Sequence, residues 1–382
     1  MKKGIVKNMS KENISLSQLA ALLFNFQIGS SVVIGLGLKA KEDAWIAILI
    51  AMAIGLFITV FYYYIATLLP GKNLYEMFEY CFNRKIAIIL SLLYASYFIY
   101  YACRIIRDFG ELIATAVLPI TPIEISIVLL VLVMGYILYL GLEVLARTSE
   151  IFTPYGVILT LMLFIFLYVN KNIDISNIKP ILGEGWGIVW KTIFPYELVR
   201  PYGQILVFLC IFCNVSNIHL GRRVVIFSTS MASLILLMSS LLIILSLGEG
   251  IALRSNFPLL SAARLVSIGE FIQRIDAIVV FSMMLGSLVK SCIYIYAGLK
   301  ALEYVYKLPF RYFSIPVSCI VAIFSIFIGR NYTDHLQEGL LSNPFLLYMP
   351  FQFVFPVFLV LVLLVKLRKN KKTSHSLTKK NM

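Results

Sequence analysis

The chain has 382 residues, of which 60% are hydrophobic and 14% charged, with a mean hydropathy of +0.90 and a formal net charge of +14. Near-continuous apolar runs, rather than alternating ten-residue segments, exclude an ordinary soluble domain and an outer-membrane barrel and imply an all-α polytopic membrane protein. The positive charge does not indicate nucleic acid, because the basic residues gather at the ends of the apolar runs and in the tail Lys366 to Lys380, where they orient the chain and attract anionic membrane lipids.

Lys2, Lys3, Lys7 and Lys11 precede the first apolar run, which is full length and lacks a small-residue cleavage site, so residues 1–14 are expected to be retained as a cytoplasmic segment. Ten transmembrane helices are predicted, at about 15–37, 44–68, 86–118, 123–141, 149–169, 203–221, 224–247, 274–305, 313–330 and 343–366. The first is interrupted at its middle by Gln27, Gly29, Ser30 and Ser31. A broken span frees backbone polar groups, which are tolerated in a membrane only inside protein or beside a polar cavity. The interruption therefore reads as a ligand site, with the amino end of the second half-helix at Ser30, Ser31 and Val32 suited to a carboxylate.

In the third span Tyr97, Tyr101, Arg104, Asp108, Glu111 and Thr115 recur at helical spacing and share one face. Such a stripe turns toward protein or water. Tyr97 and Tyr101 are placed to close the site. Arg104 is either a coupling charge or, with Asp108 as an i,i+4 pair, locally neutralised near the outer headgroups. Glu143, Arg147 and Glu150 lie at the start of the fifth span and read as an inner gate, a partner-docking surface or a solvated ion pair.

The outer connector 170–202 carries Trp186, Val189, Trp190 and Ile193 at helical spacing, an amphipathic piece expected at the outer interface. Gln204 to Gly221 repeats the pattern of the first span at an offset of 186 residues, breaking at Asn214, Ser216 and Asn217, which are placed to address an amine or side chain. Cys210 and Cys213 form a CxxC without a second pair or a histidine cluster, so no metal and no cofactor is expected. The connector Leu259 to Ile272 is a candidate lid. In the eighth span Ser287, Lys290, Ser291 and Tyr294 share a face, and Lys290 lies about 24 Å of helix from the outer end, too deep to reach headgroups. Three roles stay open for Lys290: a fixed cation in place of a coupling sodium ion, a proton-titrating group, or a packing contact to the broken first span. Asp334, His335 and Glu338 are the only clustered candidates for an enzyme and read as solvated loop charges. The tail 367–382 reads as disordered.

With the N-terminus inside, cytoplasmic segments hold 19 basic residues and outer segments 10, which places both ends in the cytoplasm. Ten spans divide as five plus five, 15–169 and 203–366, and an odd number of crossings per half makes the second an inverted copy of the first. The pattern implies a small zwitterionic ligand bound at mid-depth.

An ordered set of short motifs adds a resemblance. Asp43-Ala44-Trp45 opens the second span, Pro70 is followed by Leu74-Tyr75-Glu76, and Leu118-Pro119 and Thr121-Pro122 separate the third and fourth spans. Gly141-Leu142-Glu143-Val144-Leu145-Ala146-Arg147 precedes Glu150, and Lys179-Pro180 lies in the outer loop. With these the chain resembles the B subunits of bacterial spore germinant receptors, a branch of the amino acid, polyamine and organocation transporter superfamily. The resemblance implies a LeuT-like fold with broken helices 1 and 6, located in the inner membrane of the spore. It implies a nutrient sensor, not an enzyme, acting with an A subunit and a lipoprotein C subunit. A working amino acid and proton symporter is the alternative.

Overall fold

The computed structural model describes residues 12–266, 276–329 and 331–380, without side chains for 340, 341 and 371–380. Lys2, Lys3, Lys7, Lys11, Arg274, Arg330 and the end of the Leu259–Ile272 connector fall outside the described residues. Among the described residues the chain is helical, with one isolated parallel bridge between Ile14 and Val215.

Eight helices are long and apolar enough to cross a membrane: Leu16–Ile34, Leu38–Leu68, Arg84–Ala116, Ile123–Leu140, Leu142–Val169, Ile218–Arg254, Asp276–Tyr306 and Pro344–Asn370. A further apolar helix, α12 (Arg311–Phe327), has 17 residues, about 26 Å of rise against a hydrocarbon core of about 30 Å.

Local chemistry explains the ends of these elements. Helix α1 (Leu16–Ile28) starts in a capping box, with Ser15 Oγ accepting from Gln18 N at 3.1 Å and Ser15 N donating to Gln18 Oε1 at 3.0 Å. It stops at Gly29, whose φ of +30° leaves the helical region, and resumes as the single turn α2 (Ser31–Ile34). Helix α3 (Ala44–Leu68) follows. Helix α4 (Leu74–Cys81) has a second capping box between Asn73 and Glu76, and α5 (Arg84–Ala116) is capped by Asn83. Helices α6 (Ile123–Leu140) and α7 (Leu142–Val169) meet at Gly141.

Helix α8 (Trp186–Thr192) buries Val189 and Ile193 against Ala40, Ala47 and Ala51 and leaves Trp186 and Trp190 half exposed. Then come α9 (Gly221–Arg254), α10 (Pro258–Ala263), α11 (Asp276–Tyr306), α12, α13 (Tyr332–Gln337) and α14 (Phe355–Lys380). The first span and α11 are the most enclosed crossings, each 78% buried against 17% for α7. They pack on each other, with α5 against α11 and α9 against α1. Their contact positions the site.

The sixth span, expected as a broken helix, consists of short 3₁₀ turns at Gly203–Cys210, Phe212–Asn214 and Ile218–Leu220, and the backbone departs from helix earlier than the expected break, at Phe194 and Arg200. Two expectations need correction. The fifth span begins at Leu142, so Glu143 to Glu150 are helical. The tail is not disordered in the structure, because nothing between Val357 and Lys380 is a glycine or proline that would stop α14. Lys366 Nζ and Asn370 Nδ2 also hold it to Tyr80.

Candidate functional site: a basic cavity at the break of the first span

At the break, α1 and α11 approach until their backbones touch. A Cβ on Gly286 would lie 2.8 Å from Gly29 Cα and 3.0 Å from Gly29 N, and one on Gly29 would lie 2.6 Å from Lys290 Cδ. Lys290, one turn beyond Gly286, therefore runs across the interruption. It is 1% exposed, its ammonium lies 5.4 Å from the Phe26 ring, and among the described residues it forms no ion pair with a carboxylate.

The ammonium faces an inner cavity of about 20 Å³, room for roughly one water. Ser30, Tyr101, Arg104, Asp108, Arg200, Gln204, Lys290, Leu336, Gly339 and Tyr348 line it. Gln204 Nε2 donates to the Tyr101 hydroxyl, and the Tyr101 ring stacks on Tyr294 at 4.9 Å. Toward the face expected to be outer, a vestibule of about 250 Å³ is lined by Ser30, Ser31, Lys39, Glu197, Arg200, Arg254 and Leu336, among others. Ser30, Arg200 and Leu336 belong to both spaces, so the side chains of Arg200 and Leu336 form the partition between them.

The roof is the segment that follows α12. His335, 1% exposed, meets Asp108 with Nε2 to Oδ1 at 2.9 Å. Arg104 donates to the His335 carbonyl oxygen and pairs with Glu338 at 3.3 Å, and Glu338 also accepts from Tyr100 at 3.2 Å. The expectation of solvated loop charges is thus incorrect for His335, whereas Glu338 stays exposed, its side chain 46% accessible. Arg104 and Asp108 do not pair with each other: the loop offers each a partner, while Arg107 and Glu111 do form their i,i+4 pair at 2.6 Å.

Of the other sequence-predicted residues, Ser31 reaches the vestibule but not the inner cavity. Gln27 donates to Thr229 Oγ1 at 3.1 Å, away from the cavity, and the Val32 carbonyl accepts from Ser239. Tyr97 accepts from Gln352 at 2.8 Å and stacks on Phe351. Ser287 and Ser291 are buried beside Lys290, and they and Tyr294 do not line the inner cavity. Asn214, Ser216 and Asn217 sit at the opposite end of α1. Asn214 Nδ2 donates to the Glu12 carbonyl at 3.0 Å, Ser216 N to the Ile14 carbonyl at 3.2 Å, and Asn217 is exposed. Glu143 accepts from Asn13 N at 3.1 Å instead of pairing with the exposed Arg147, and among the described residues Glu150 has no polar partner.

The spore permease family profile, described as spore germination protein, matches residues 13–333. Spore germination protein KB of Bacillus subtilis (strain 168) is 33% identical over 374 residues, 97% of this chain and 100% of the relative. The chain belongs to the spore germination protein family. Within this family, spore germination protein A2 of the same organism is 28% identical over 171 residues, 44% of this chain and 45% of that one.

Among solved structures the fold of this spore germination protein is similar to two transporters. One is a manganese transporter of Eremococcus coleocola, with TM-score 0.53, 13% identity and 91% of this chain and 76% of that one covered. The other is a nucleobase-cation-symport-1 family transporter in a closed conformation, with TM-score 0.50, 11% identity and 86% and 75% covered. The likeness lies in the all-helical membrane fold.

Asp108, Arg200, Gln204 and Leu336 were not singled out as ligand residues from sequence, nor was Glu197. Glu197 is buried, lies between the spans and accepts from Gly37 N at 2.8 Å. Burial pushes its carboxyl up to about 7, against the opposing pull of Gly37 N–H, Arg200 and Lys39. An unfolded Glu titrates near pH 4.3, so stability is fully present below that pH and falls as pH rises toward 7, where the folded group ionises. Glu197→Gln, which keeps the acceptor for Gly37, should flatten this slope and raise stability above pH 7 by up to about 3 kcal/mol. Melting temperatures of the detergent-solubilised protein across pH 5 to 8 would check it, and parallel curves for the two proteins would refute it.

Proposed function

We propose that this protein is the nutrient-sensing subunit of a spore germinant receptor. In this reading a small nutrient enters the vestibule, moves Arg200 and Leu336 aside and binds against Ser30, Tyr101 and Gln204, with Arg104 and Lys290 as fixed cations. Differential affinity for two conformations then shifts a population that A and C subunits read. The observation that carries it is a polar cavity at the interrupted first span, closed to one face and separated from a vestibule at the other by two side chains. The eight long helices, α12 and the segment Gly203–Leu220 make ten crossings in this reading, arranged as a 5+5 inverted repeat in the inner spore membrane with both ends in the cytoplasm.

The transporter-like fold supports a second reading, an amino acid and proton symporter using the same cavity. Proteoliposomes holding this chain alone separate the two. The sensor predicts saturable nutrient binding without accumulation under an imposed pH gradient, and co-purification of an A-type subunit from spore membranes. Gradient-driven accumulation of labelled amino acid would establish the symporter instead.

A further inference from the structure

The charge around the inner cavity is unbalanced. Arg104, Arg200 and Lys290 line it against one carboxylate, Asp108, which is engaged by His335. Glu338 behind Arg104 offsets one guanidinium at 3.3 Å. That still leaves Arg200 and Lys290 without an ion-pair partner among the described residues. A guanidinium does not shed its proton, and cations beside a low-dielectric, nearly dry cavity repel one another unless an anion joins them. A zwitterion would bring an ammonium to a site whose only lining carboxylate is already engaged. Asn214, Ser216 and Asn217, the groups expected to receive that ammonium, lie at the other end of α1. One acceptor inside the cavity is unused: Gln204 Oε1 is buried and without a hydrogen-bond partner.

We infer that the ligand of this site is a small net-anionic carboxylate carrying one hydroxyl or amino donor, the class of hydroxy acids and acidic amino acids, and not a net-neutral zwitterion. The inference rests on the proposed binding role of the cavity. The carboxylate lies between Lys290 and the two arginines, and the donor reaches Gln204 Oε1. The vestibule continues the same field, with Lys39, Arg254 and Arg200 against Glu197, so an anion is drawn inward along its whole path. In the closed form the inner cavity is too small for such a ligand, and entry requires displacement of Leu336 and Arg200, which merges it with the vestibule.

The test uses the full purified chain in lipid nanodiscs, titrated at fixed ionic strength with malate, lactate, aspartate, alanine, glucose and chloride. Thermal shift and calorimetry are the readouts. At least one of the three anionic carboxylates should bind tenfold or more tightly than alanine or glucose, and Arg104→Gln and Lys290→Met should each weaken it tenfold or more. Arg200→Gln, at a half-buried and unpaired position, tests the same charge should the other variants fail to fold, and should also weaken binding tenfold.

If alanine or glucose binds best and the same variants abolish it, the cavity is the binding site but the anion inference is wrong. Chloride alone reproducing the effect also overturns it, as does silence of all three carboxylates. Binding untouched by every variant overturns both this inference and the proposed site.

Discussion

Glu12→Ala is expected to open the face of the protein that carries residues 12–14, the inner face in the proposed orientation, and, in the proposed sensor, to trigger germination without nutrient. This carboxylate ties three helices to the segment before α1. Oε1 accepts from Leu142 N at the start of α7 at 3.0 Å, Oε2 accepts from the Tyr296 hydroxyl of α11 at 2.8 Å, and Arg311 of α12 stands 3.9 Å away. The Glu12 carbonyl holds Asn214, and the next two residues bond to Glu143 and Asn214. Leu142 N is one of the unpaired donors that every helix presents at its amino end, where a carboxylate is favoured.

Truncation orphans that donor and the Tyr296 hydroxyl and removes the counter-charge of Arg311, a loss of about 2–5 kcal/mol by analogy with other hydrogen-bonded charges. Even a third of that falling on the closed form would raise the open population about threefold to seventeenfold. Cys213, half-buried beside Asn214, reports it: in a Cys319→Ser background, which removes the exposed thiol, a membrane-impermeant maleimide should label Cys213 at least about three times faster in Glu12→Ala. Equal labelling rates would show that the Glu12 contacts do not hold the inner face shut.

The fold and half of the site were legible because the membrane makes certain residues costly. Gly29, Ser30 and Ser31 in the middle of an apolar run, Lys290 deep in another and the polar stripe that includes Arg104 in a third have no place in a lipid-facing helix, so sequence alone turned them inward. The second interruption lies where the sequence shows it but not beside the cavity. Asn214 ends a short 3₁₀ turn, Ser216 follows it and both bond to residues 12–14, whereas irregular backbone beside the cavity lies further back, at Arg200, in a stretch the sequence marked only as an outer connector.

The burial of His335 and the pairing of Glu338 with Arg104 were missed for a related reason. Exposure of a loop cannot be read from its composition when its partners, Asp108 and Arg104, lie more than two hundred residues away in the chain. Glu12 was hidden among the lysines of the N-terminus. The i,i+4 rule favoured Glu143 with Arg147, but a backbone N–H from residue 13 competes for that carboxylate and wins. Periodicity finds helices and costly residues; it does not find the long-range partner that relieves the cost.

The second large effect is expected at Gly286, where two backbones set the width of the site. A methyl group there would meet Gly29 Cα at 2.8 Å, N at 3.0 Å and O at 3.1 Å, atoms that cannot rotate away, so Gly286→Ala must push α11 from the broken span. Overpacking of this kind costs about 1–3 kcal/mol, and Lys290, four residues on, is carried off the interruption with it. Ligand binding should therefore be lost even where the protein still folds.

Gly29→Ala attacks the same contact from the other side with a different balance. It adds the strain of a positive φ, about 1–2 kcal/mol, but its nearest clash, 2.6 Å to Lys290 Cδ, is with a flexible side chain. Shortening that side chain should relieve it, so Gly29→Ala with Lys290→Ala should be more stable than the sum of the single variants by about 1 kcal/mol. Gly286→Ala should gain nothing from Lys290→Ala, because its clash is with backbone. Melting curves of the five variants in one detergent measure this cycle. Rescue of Gly286→Ala by Lys290→Ala, or wild-type stability of Gly286→Ala alone, would mean that the two backbones do not meet at this point and that something other than their contact shapes the cavity.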